Sequence, residues 1–589
     1  MGRVKRLIIE GYRSIDSRIE IEFPEDVPLV LIGENNAGKS NIVRALDLLL
    51  GERWPGNYDP DDHDFFGRNR ENGRIEIAAD VDGVVDRKQT KQLKVARFVW
   101  KFSADEQRPF RVVYANGNES PYVSNEVREQ CLSIIVGADR RISQELSFAS
   151  RYTLLSRLTK KFHKALTFDE HRVMELQRKL QTVSDSLREL PEFANFLGAL
   201  QHQVSEFSGA IEYALGIDFA SFDPSNYFRS LRVQPVQGNT PRTFEELGTG
   251  QEQILAICLA YAYATTFYNT DGLLLAIEEP EAHLHPLAQR WVAQKLKELA
   301  QQGVQVLVTT HSPAFLDVMG LPGWVRVYKE AGATKVTQLT AEKLATYCQS
   351  TGAARATAQN VLPFYAAGAT EDILAGMFAR KVLLVEGPSE ALALPVYLTK
   401  VGLNLNKEGI AVIPVGGKGN LARWWRLFTA FKIPCYVSFD NDRNDDRHTE
   451  KTKDLLRAIG YKGDYTPILT TEFWEVTSKF MVFGTDFEHC MRRYFDPSYS
   501  QLEGDARRDH DLTSRESKPL VARYVAERLD IKTAPEGLHK LEELAQHLRA
   551  LALPEQPFVT EGNSQTPEHE QSAMDDYNAA SNDDPWKIR

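Results

Sequence analysis

The chain has 589 residues, enough for about three or four domains, and 42% of them are hydrophobic, so sizeable cores can be buried. Its net charge of −11 argues against a protein that coats nucleic acid through bulk positive charge, while a local basic groove with metal ions would still permit DNA binding. There is no signal-peptide pattern and no apolar run of the roughly 18 residues that a membrane span needs. Five cysteines without a CxxC pair fit a reducing compartment and give no zinc knuckle, so we expect a cytoplasmic protein without membrane contact.

Hydrophobic periodicity predicts the elements of the first part of the chain. In order, it indicates strands at 4–10, 18–23 and 28–32, a helix at 40–50, an exposed loop at 51–73, and antiparallel strands at 74–81 and 97–104. From 152 to 215 the pattern is helical and charged, and 173–190 is its clearest amphipathic segment.

Strand–helix alternation follows over 244–328, and a helical connector is predicted at 341–380. A second alternating pattern then begins, with strands at 382–386, 410–414 and 435–440. Strands that alternate with helices predict parallel sheets, so we expect an α/β fold in both parts. After 555 the chain is polar with few large aliphatic residues and is predicted to be disordered.

The segment from Gly33 to Ser40 reads Gly-Glu-Asn-Asn-Ala-Gly-Lys-Ser and matches the phosphate-binding pattern G-x-x-x-x-G-K-[ST]. Backbone N–H groups of the turn, which contains Gly33, Asn36 and Gly38, can close around phosphate oxygens. Lys39 can reach the β- and γ-phosphates, and the Ser40 hydroxyl can bind Mg²⁺. A buried strand before the turn and a helix after it favour this interpretation over an ordinary glycine-rich turn.

Two carboxylates follow the apolar run at 273–277, which is typical of a strand buried on both faces. Glu278 and Glu279 therefore emerge at the carboxyl end of a strand, where α/β sheets bind ligands. Without other motifs, Glu278 and Glu279 could simply lie at a solvent-exposed strand end. Beside a phosphate-binding loop we interpret Glu278 as helping to hold Mg²⁺ through water and Glu279 as polarising the attacking water.

Two further segments fit the same nucleotide site. Gly248 and Gly250 lie in a small-residue turn that opens a helix, an arrangement suited to a γ-phosphate, although a plain helix start remains an alternative. Another apolar strand, at 304–310, ends at His311. The neighbouring His283 and His285 are better explained as structural than as a metal pair.

A second carboxylate centre is predicted in the later α/β pattern. Glu386 ends a strand, Glu390 begins the next helix, and Asp440 and Asp442 follow another strand. Side chains two apart on an extended strand face the same way, so Asp440 and Asp442 can converge, and a parallel neighbour can bring Glu386 beside them. Such a cluster is expected chiefly around a hard divalent cation such as Mg²⁺. An EF-hand is excluded, because its loop needs Gly at the sixth position and Glu at the twelfth, and these would be Asp445 and Lys451.

The first set of motifs resembles ABC ATPases of the SMC/RecF kind. The resemblance implies ATP as the ligand, with Gly248 and Gly250 as the signature and His311 as the switch histidine that contacts the γ-phosphate. Glu278 departs from the family, which usually has Asp there, and the longer side chain affects Mg²⁺ geometry and turnover. In this family the signature completes the site of a partner subunit, which implies a dimer. The segment 152–215 interrupts the motifs, and we expect it to help dimerise the ATPase because its apolar stripe needs a partner.

The second set, VEG-x-x-E followed by a strand and D-x-D, resembles the Toprim fold of topoisomerases, primases and OLD (overcoming lysogenization defect) nucleases. Asp486 and Glu488 match the D-x-E-like carboxylates that serve a second metal in OLD-type sites, although a surface turn would look similar. Lys518, just before a helix, could neutralise phosphate charge in a transition state, or could be an ordinary solvated lysine.

The combination resembles the OLD nucleases, a group that includes the Gabija nuclease subunit, over about residues 1–530. The resemblance implies DNA nicking or cleavage by a two-metal mechanism with Mg²⁺ or Mn²⁺. It also implies a role in phage defence or DNA repair. The protein would act as a homodimer or larger homo-oligomer, with or without a helicase partner. The predicted domains are an ATPase at 1–151 and 216–340, the insertion at 152–215, the connector at 341–380, the Toprim domain at 381–554 and a tail at 555–589.

Two alternatives remain open. One is an ATP-driven DNA clamp of the SMC/RecF kind without cleavage, against which the full set of Toprim carboxylates counts. The other is a topoisomerase or primase, although no zinc module and no separate domain with a nucleophilic tyrosine is evident. An ABC transporter is excluded as a single chain by the missing membrane spans.

Overall fold

The fold is given by a computed structural model. It describes residues 2–137, 166–191, 248–267, 273–442, 446–510 and 517–553, with short gaps at 52, 72, 89–90 and 104–107, and a few isolated residues between 156 and 241. No helix in this described part is long and apolar enough to cross a membrane.

The first domain contains two six-stranded sheets. Its strands are β1 (Arg3–Glu10), β2 (Ile19–Glu22), β3 (Leu29–Ile32), β4 (Ile75–Lys88), β5 (Lys91–Phe102), β6 (Phe110–Tyr114), β7 (Glu119–Ser120), β8 (Leu132–Val136), the short pair β9 (Val236–Gln237) and β10 (Thr240–Pro241), β11 (Leu273–Glu278), β12 (Gln305–Thr310), β13 (Trp324–Glu330) and β14 (Ala333–Gln338). Its helices are α1 (Lys39–Leu50), α2 (Asn125–Glu129), α3 (Glu170–Arg188), α4 (Thr249–Phe267) and α5 (Pro286–Gln301).

The order of the second sheet positions the nucleotide motifs. It runs β14-β13-β3-β12-β11-β8, and β13, β3, β12, β11 and β8 are mutually parallel. The strands of the first sheet, β2-β1-β4-β5-β6-β7, pair antiparallel. Because β3, β12 and β11 are neighbours, the loops after them meet at one edge, although they lie far apart in sequence.

The connector and the second domain follow. The connector helices are α6 (Ala341–Ser350), α7 (Ala358–Ala366) and α8 (Glu371–Ala375). The second domain has strands β15 (Lys381–Val385), β16 (Ile410–Pro414), β17 (Cys435–Asp440), β18 (Glu475–Val476) and β19 (Phe480–Phe483), with helices α9 (Pro388–Lys400), α10 (Leu405–Glu408), α11 (Leu421–Ala430), α12 (Asp446–Ala458), α13 (Thr466–Thr470), α14 (Phe487–Phe495), α15 (Ser498–Asp509), α16 (Lys518–Arg528) and α17 (Pro535–Ala550). Its sheet order is β16-β15-β17-β19-β18, and all pairings except β18–β19 are parallel.

One hydrophobic core joins the two domains. It includes Val30 and Trp324 from the first domain and Trp424 and Phe431 from the second, with the connector helices packed between them. Buried Arg326 of β13 donates hydrogen bonds to the carbonyls of Phe431 and Lys432, at 3.2 and 2.9 Å. The two domains therefore share buried surface.

The predicted α/β fold with two parallel-sheet domains is confirmed, and the helix at 40–50 and most of the predicted strands agree with an observed element to within two residues at either end. The strands predicted at 74–81 and 97–104 are too short, because β4 continues to Lys88 and β5 begins at Lys91. The prediction of an exposed loop at 51–73 is wrong in part, because it contains three short 3-10 helices and buries Asp64 and Phe65. Phe65 bridges to Tyr12, and Asp64 accepts hydrogen bonds from Arg13 and Tyr58, so this polar segment packs back on the sheet.

Helix α3 covers most of the predicted amphipathic segment. Most of 152–215 and all of the tail lie outside the described residues, and the domain boundaries stay predictions.

Candidate functional sites

The phosphate-binding loop joins β3 to α1 and depends on glycine at two points. Gly38 has φ 115° at the start of α1, and a Cβ there would lie 2.3 Å from the Thr334 hydroxyl. Gly33 has φ 152°, and a Cβ there would lie 2.0 Å from the carbonyl of Val327. Ser40 is exposed at the start of α1, so its hydroxyl is accessible to an ion.

Lys39 is turned back onto the loop. Its ammonium donates to the carbonyls of Gly33 and Glu34, at 2.9 and 3.0 Å, and lies 2.9 Å from Nε2 of His311. Burial lowers the pKa of Lys39 to about 8, and the charge of Glu279 acts in the opposite direction. Burial and the nearby Lys39 both lower the pKa of His311. An anionic phosphate would satisfy the cation better than these neutral acceptors do.

Two residues that the sequence patterns did not indicate support the loop. Thr334, which is buried on β14, donates to the carbonyl of Ala37, and its hydroxyl lies 2.8 Å from that of Ser14. Asn41 of α1 in turn donates to Ser14. Ser14 and Thr334 lie 320 residues apart, so no local pattern could have identified them.

Glu278 ends β11 beside Thr309 of β12, and Glu279 follows it with φ 47°. The N–H of Glu279 donates to the Thr309 carbonyl at 2.9 Å, and a carboxylate oxygen of Glu279 lies 3.8 Å from Nε2 of His311. The structure thus brings Lys39, Glu279 and His311 together, as their motifs predicted.

Glu281 also belongs to this edge of the sheet. Its carboxylate accepts the backbone N–H of His311 at 2.5 Å, and burial raises its pKa. Of the predicted signature residues, Gly250 lies against the loop that follows Glu281. A Cβ atom at position 250 would be only 2.5 Å from the His283 carbonyl oxygen, whereas a Cβ atom at Gly248 would have no neighbour within 4 Å. His285 caps α5 by accepting the N–H of Leu287, a structural role as predicted for it.

The second site is built around Asp440, at the carboxyl end of β17. The backbone N–H of Asp440 donates to Oε1 of Glu386 at 2.9 Å, which fixes the carboxylate that follows β15 beside it. Burial raises the pKa of Asp440 well above its ordinary value, and the charges of Glu386, Glu390, Asp442 and Asp486 raise it further. The carboxylates predicted at 386, 390, 442 and 486 therefore lie close enough to Asp440 to act on its charge.

Two of these carboxyls bind protons near neutral pH. Burial raises the pKa of Glu386 to about 7, with Asp442 adding to the rise and Lys418 opposing it. Burial also raises the pKa of Glu390 to about 8, and the charges of Glu386 and Glu488 add to that rise. Packing several carboxylates together away from water disfavours ionisation unless a cation compensates them.

A cation that the sequence reasoning missed lies among them. The Lys418 ammonium is 2.5 Å from Oδ2 of Asp442 and 3.9 Å from Oε1 of Glu386, and its side chain is 1% exposed. The signal is the run Gly416-Gly417-Lys418-Gly419, one residue after the strand at 410–414, which makes a glycine-rich turn near a strand end.

The later, less specific residues also reach this site. Asp486 caps α14 by accepting the N–H of His489, and Glu488 lies in the first turn of that helix. Glu488 accepts a hydrogen bond from Ser389 at 3.2 Å and one from Lys518 at 3.4 Å. Lys518 begins α16 and is half-exposed, so it lies at the rim of the cluster.

Comparisons with known proteins match both halves of the chain. A family model described as AAA ATPase domain matches residues 3–107 and 114–316, and one described as Overcoming lysogenization defect protein-like, TOPRIM domain, matches residues 377–442. The chain belongs to the OLD family of ATPase–Toprim proteins.

Among OLD relatives, a protein from Thermus scotoductus named OLD nuclease is 26% identical over 469 residues, covering 76% of this chain and 84% of that protein. The Old nuclease of Escherichia phage P2 is 23% identical over 485 residues, covering 77% and 80% respectively. A solved Smc head domain from Pyrococcus furiosus, 14% identical, covers 58% of this chain and 96% of that structure with a TM-score of 0.33, a similarity too low to support an argument.

The Toprim residues of this OLD protein fit a divalent cation by their chemistry. Oδ1 of Asp440 and Oε1 of Glu390 are buried and accept no hydrogen bond from the described residues, which is costly for carboxylate oxygens without a cation. All the donors are hard oxygens, as Mg²⁺ prefers. Within the described ranges no three His, Cys, Asp or Glu side chains already form a metal-binding group, so an ion would have to draw the carboxylates inward.

Proposed function

We propose that the protein is an ATP-hydrolysing, divalent-metal-dependent DNA endonuclease that nicks its substrate. The observation that carries the proposal is the buried cluster around Asp440, which has unsatisfied carboxylate oxygens inside and a lysine, Lys518, at its rim. A structural carboxylate cluster would be compensated by its own hydrogen bonds, whereas this one leaves acceptors available for an ion.

In this proposal Glu386, Asp440 and Asp442 hold the first ion, and Glu390, Asp486 and Glu488 complete a second position. A divalent ion there supplies Lewis-acid stabilisation of the phosphodiester and activation of water, with Mg²⁺ or Mn²⁺ as the natural choices. Hydrolysis forms one P–O bond from water and breaks one P–O bond to the sugar, which leaves a nick. Lys518, held by Glu488, would neutralise charge on the phosphate as that bond breaks.

The nucleotide half of the proposal assigns ATP to the loop from Gly33 to Ser40. Lys39 would release its carbonyl acceptors for the β- and γ-phosphates, and Ser40 with Glu278 would hold Mg²⁺. Glu279 would orient the attacking water, and His311, 3.8 Å from it, would contact the γ-phosphate. We further propose that the signature glycines serve a second subunit in a homodimer.

The biological part rests on family membership alone. The two relatives are named OLD nuclease and Old nuclease, and we infer from those names a DNA substrate and a role in phage defence or DNA repair. The proposal includes a helicase partner only if this protein is of the Gabija-like kind.

The test replaces Asp440 by Asn, which keeps the volume and removes the charge. We expect Asp440→Asn to lose nicking of supercoiled plasmid in Mg²⁺ or Mn²⁺ by about a hundredfold or more, because metal-held stabilisation of the transition state is worth several kcal/mol. ATP turnover should stay normal, and the melting temperature of the metal-free protein should rise, because the substitution removes a carboxyl group that burial and its acidic neighbours make costly to ionise.

The matched control is Asp464→Asn. Asp464 is exposed and accepts the backbone N–H of Thr466, a hydrogen bond that the oxygen of an asparagine can also accept. This variant should leave nicking, ATP turnover and melting unchanged. Full nicking by Asp440→Asn would contradict the Toprim proposal, and loss of ATP turnover in parallel would contradict separate sites.

A further inference from the structure

The loop after β16 carries a lysine into the carboxylate cluster. Val415 donates to the carbonyl of Val385 at 3.0 Å, and Gly417 donates to the carbonyl of Glu386 at 2.8 Å, so the loop is tied to the end of β15. Gly416 and Gly417 have φ values of 72° and 115°, which glycine adopts without strain. These two glycines turn the chain so that Lys418, the next residue, points inward.

The environment of Lys418 separates it from a surface lysine. Its side chain is 1% exposed, and its ammonium contacts Asp442 at 2.5 Å with Glu386 at 3.9 Å. Lys518, by comparison, is 48% exposed and meets Glu488 at 3.4 Å. A buried ammonium is costly unless anions surround it, so Lys418 is stable here because two proposed metal ligands face it.

A fixed positive charge in this place has two opposite effects on a divalent ion. Without the ion it reduces the repulsion between Glu386 and Asp442 and so stabilises the folded cluster. With the ion it repels a second cation and competes for the Asp442 oxygen. Its side chain is too enclosed to reach DNA, so it acts through the carboxylates.

We propose that Lys418 is a positioning residue that takes the place of a metal charge in the ion-free site and thereby sets the concentration of divalent ion at which the Toprim site fills. This inference rests on the proposed function, because it takes Glu386 and Asp442 as ligands. It explains why the described carboxylates surround Asp440 without forming a ready metal-binding group: Asp442 is engaged by Lys418 instead.

The experiment measures Mn²⁺ binding by electron paramagnetic resonance on the full chain without nucleotide, and melting of the same preparations in EDTA. Lys418→Met keeps the length of the side chain and removes its charge, and Lys418→Arg keeps the charge. Lys381→Met is the matched control, because the Lys381 ammonium donates to the carbonyls of Leu548 and Arg549, away from the carboxylates. Asp440→Asn gives the background from sites outside the Toprim domain.

We expect Lys418→Met to bind Mn²⁺ about tenfold more tightly than the wild type, since removing one repelling charge is worth about 1.4 kcal/mol or more. The same variant should melt at a lower temperature in EDTA and recover with Mn²⁺. Lys418→Arg should restore a midpoint near that of the wild type, and Lys381→Met should not shift it. A merely structural lysine would not give tighter metal binding together with lower ion-free stability.

Unchanged or weaker Mn²⁺ binding by Lys418→Met would overturn the proposal. If Lys418→Met folds only when Mn²⁺ is present, the proposal is supported, because the ion then replaces the missing charge. A variant that stays unfolded in both conditions would assign Lys418 a purely structural role and overturn it. Failure of the proposed function would look different, since wild-type binding would then be absent or unaffected by Asp440→Asn.

Discussion

At the residue scale, Lys39 has partners that a phosphate would replace under the proposed function. Its ammonium contacts the carbonyls of Gly33 and Glu34 and the ring of His311, so it is held within the phosphate-binding loop. Preorganised charge of this kind favours binding of an anion because little reorganisation is needed. A carboxylate oxygen of Glu279 lies 3.8 Å from Nε2 of His311, so the residue proposed to orient the water is next to these groups.

The two residues should separate binding from turnover. We expect Lys39→Ala to lower nucleotide affinity by about tenfold or more, because one charge-assisted contact is lost. Glu279→Gln should still bind ATP but hydrolyse it about a hundredfold more slowly, since the water is no longer polarised. Titration with a fluorescent nucleotide and an ATP turnover assay measure the two effects. Lys295→Ala, which removes only a surface ion pair with Glu298, is the control, and wild-type affinity in Lys39→Ala would contradict the assignment.

The raised pKa values in the Toprim site predict how stability depends on pH. Glu386 and Glu390, with pKa values of about 7 and about 8, keep protons in the folded protein that the unfolded chain loses near its ordinary pKa of about 4.5. The folded state thus binds more protons between these limits, so the free energy of unfolding falls as pH rises from about 4.5 to about 8.

In EDTA the melting temperature should therefore fall across this range, and Glu390→Gln should reduce the fall. Added Mn²⁺ should oppose it, because the ion compensates the ionised carboxylates. An equally steep fall in Glu390→Gln, measured by circular dichroism, would show that Glu390 does not titrate in this range.

At the scale of secondary-structure elements, the described part of the insertion at 152–215 exposes two large apolar side chains. On and beside α3, Phe168 is 93% exposed and Met174 is 60% exposed. Large exposed apolar side chains that form one contiguous patch are typical of a surface that another chain covers. The prediction that this segment dimerises the ATPase is consistent with that exposure.

A version with 152–215 replaced by a short flexible linker should therefore lose its dimeric mass in light scattering. The point variant Met174→Ser, which removes one apolar contact and keeps the helix, should weaken association in the same direction. Tyr122→Ser, which changes a 69% exposed aromatic residue outside the segment, serves as the control. An unchanged mass after the replacement would rule the segment out as the dimer contact.

The element patterns of the sequence are sufficient for the fold class and for the positions of the strands that precede the motifs. Strands β3, β11, β12, β15 and β17 were each identified from an apolar run that ends in a polar or charged motif, and the register of each motif with its strand is a local property. The composition of the segment at 51–73 predicts an exposed loop, and this prediction is wrong in part because Phe65 and Asp64 pack on residues near the start of the chain.

At the scale of the whole molecule, Arg326 connects the two domains. It is buried on β13, and its guanidinium donates to the Phe431 and Lys432 carbonyls that end α11. Burial lowers the pKa of Arg326 to about 10. A second contact, between Arg380 and Glu34 at 2.6 Å, joins the residue before β15 to the phosphate-binding loop.

Arg326→Met should lower the free energy of unfolding by about 2 to 3 kcal/mol, because two buried carbonyls lose their donor. We expect differential scanning calorimetry to show a lower melting temperature and a separation of the two domain transitions. Arg523→Met, which removes a surface pair with Glu527, should change neither. A single transition at the wild-type temperature would mean that this contact does not couple the domains.

The sequence by itself was enough to identify the candidate site residues whose assignment depends only on their neighbours along the chain. The loop from Gly33 to Ser40, the pair Glu278–Glu279 and the sets Glu386–Glu390 and Asp440–Asp442 each follow a strand directly, so spacing along the chain was enough to predict that they act at strand ends.

Only the tertiary structure identified the roles of residues whose partners come from distant strands. Thr334 supports a loop that lies 297 residues earlier, Lys418 meets an aspartate from a different strand, and Arg326 reaches the other domain across 105 residues. Their roles depend on sheet order, and sheet order is fixed by the burial of whole strands against one another, which a local pattern does not record.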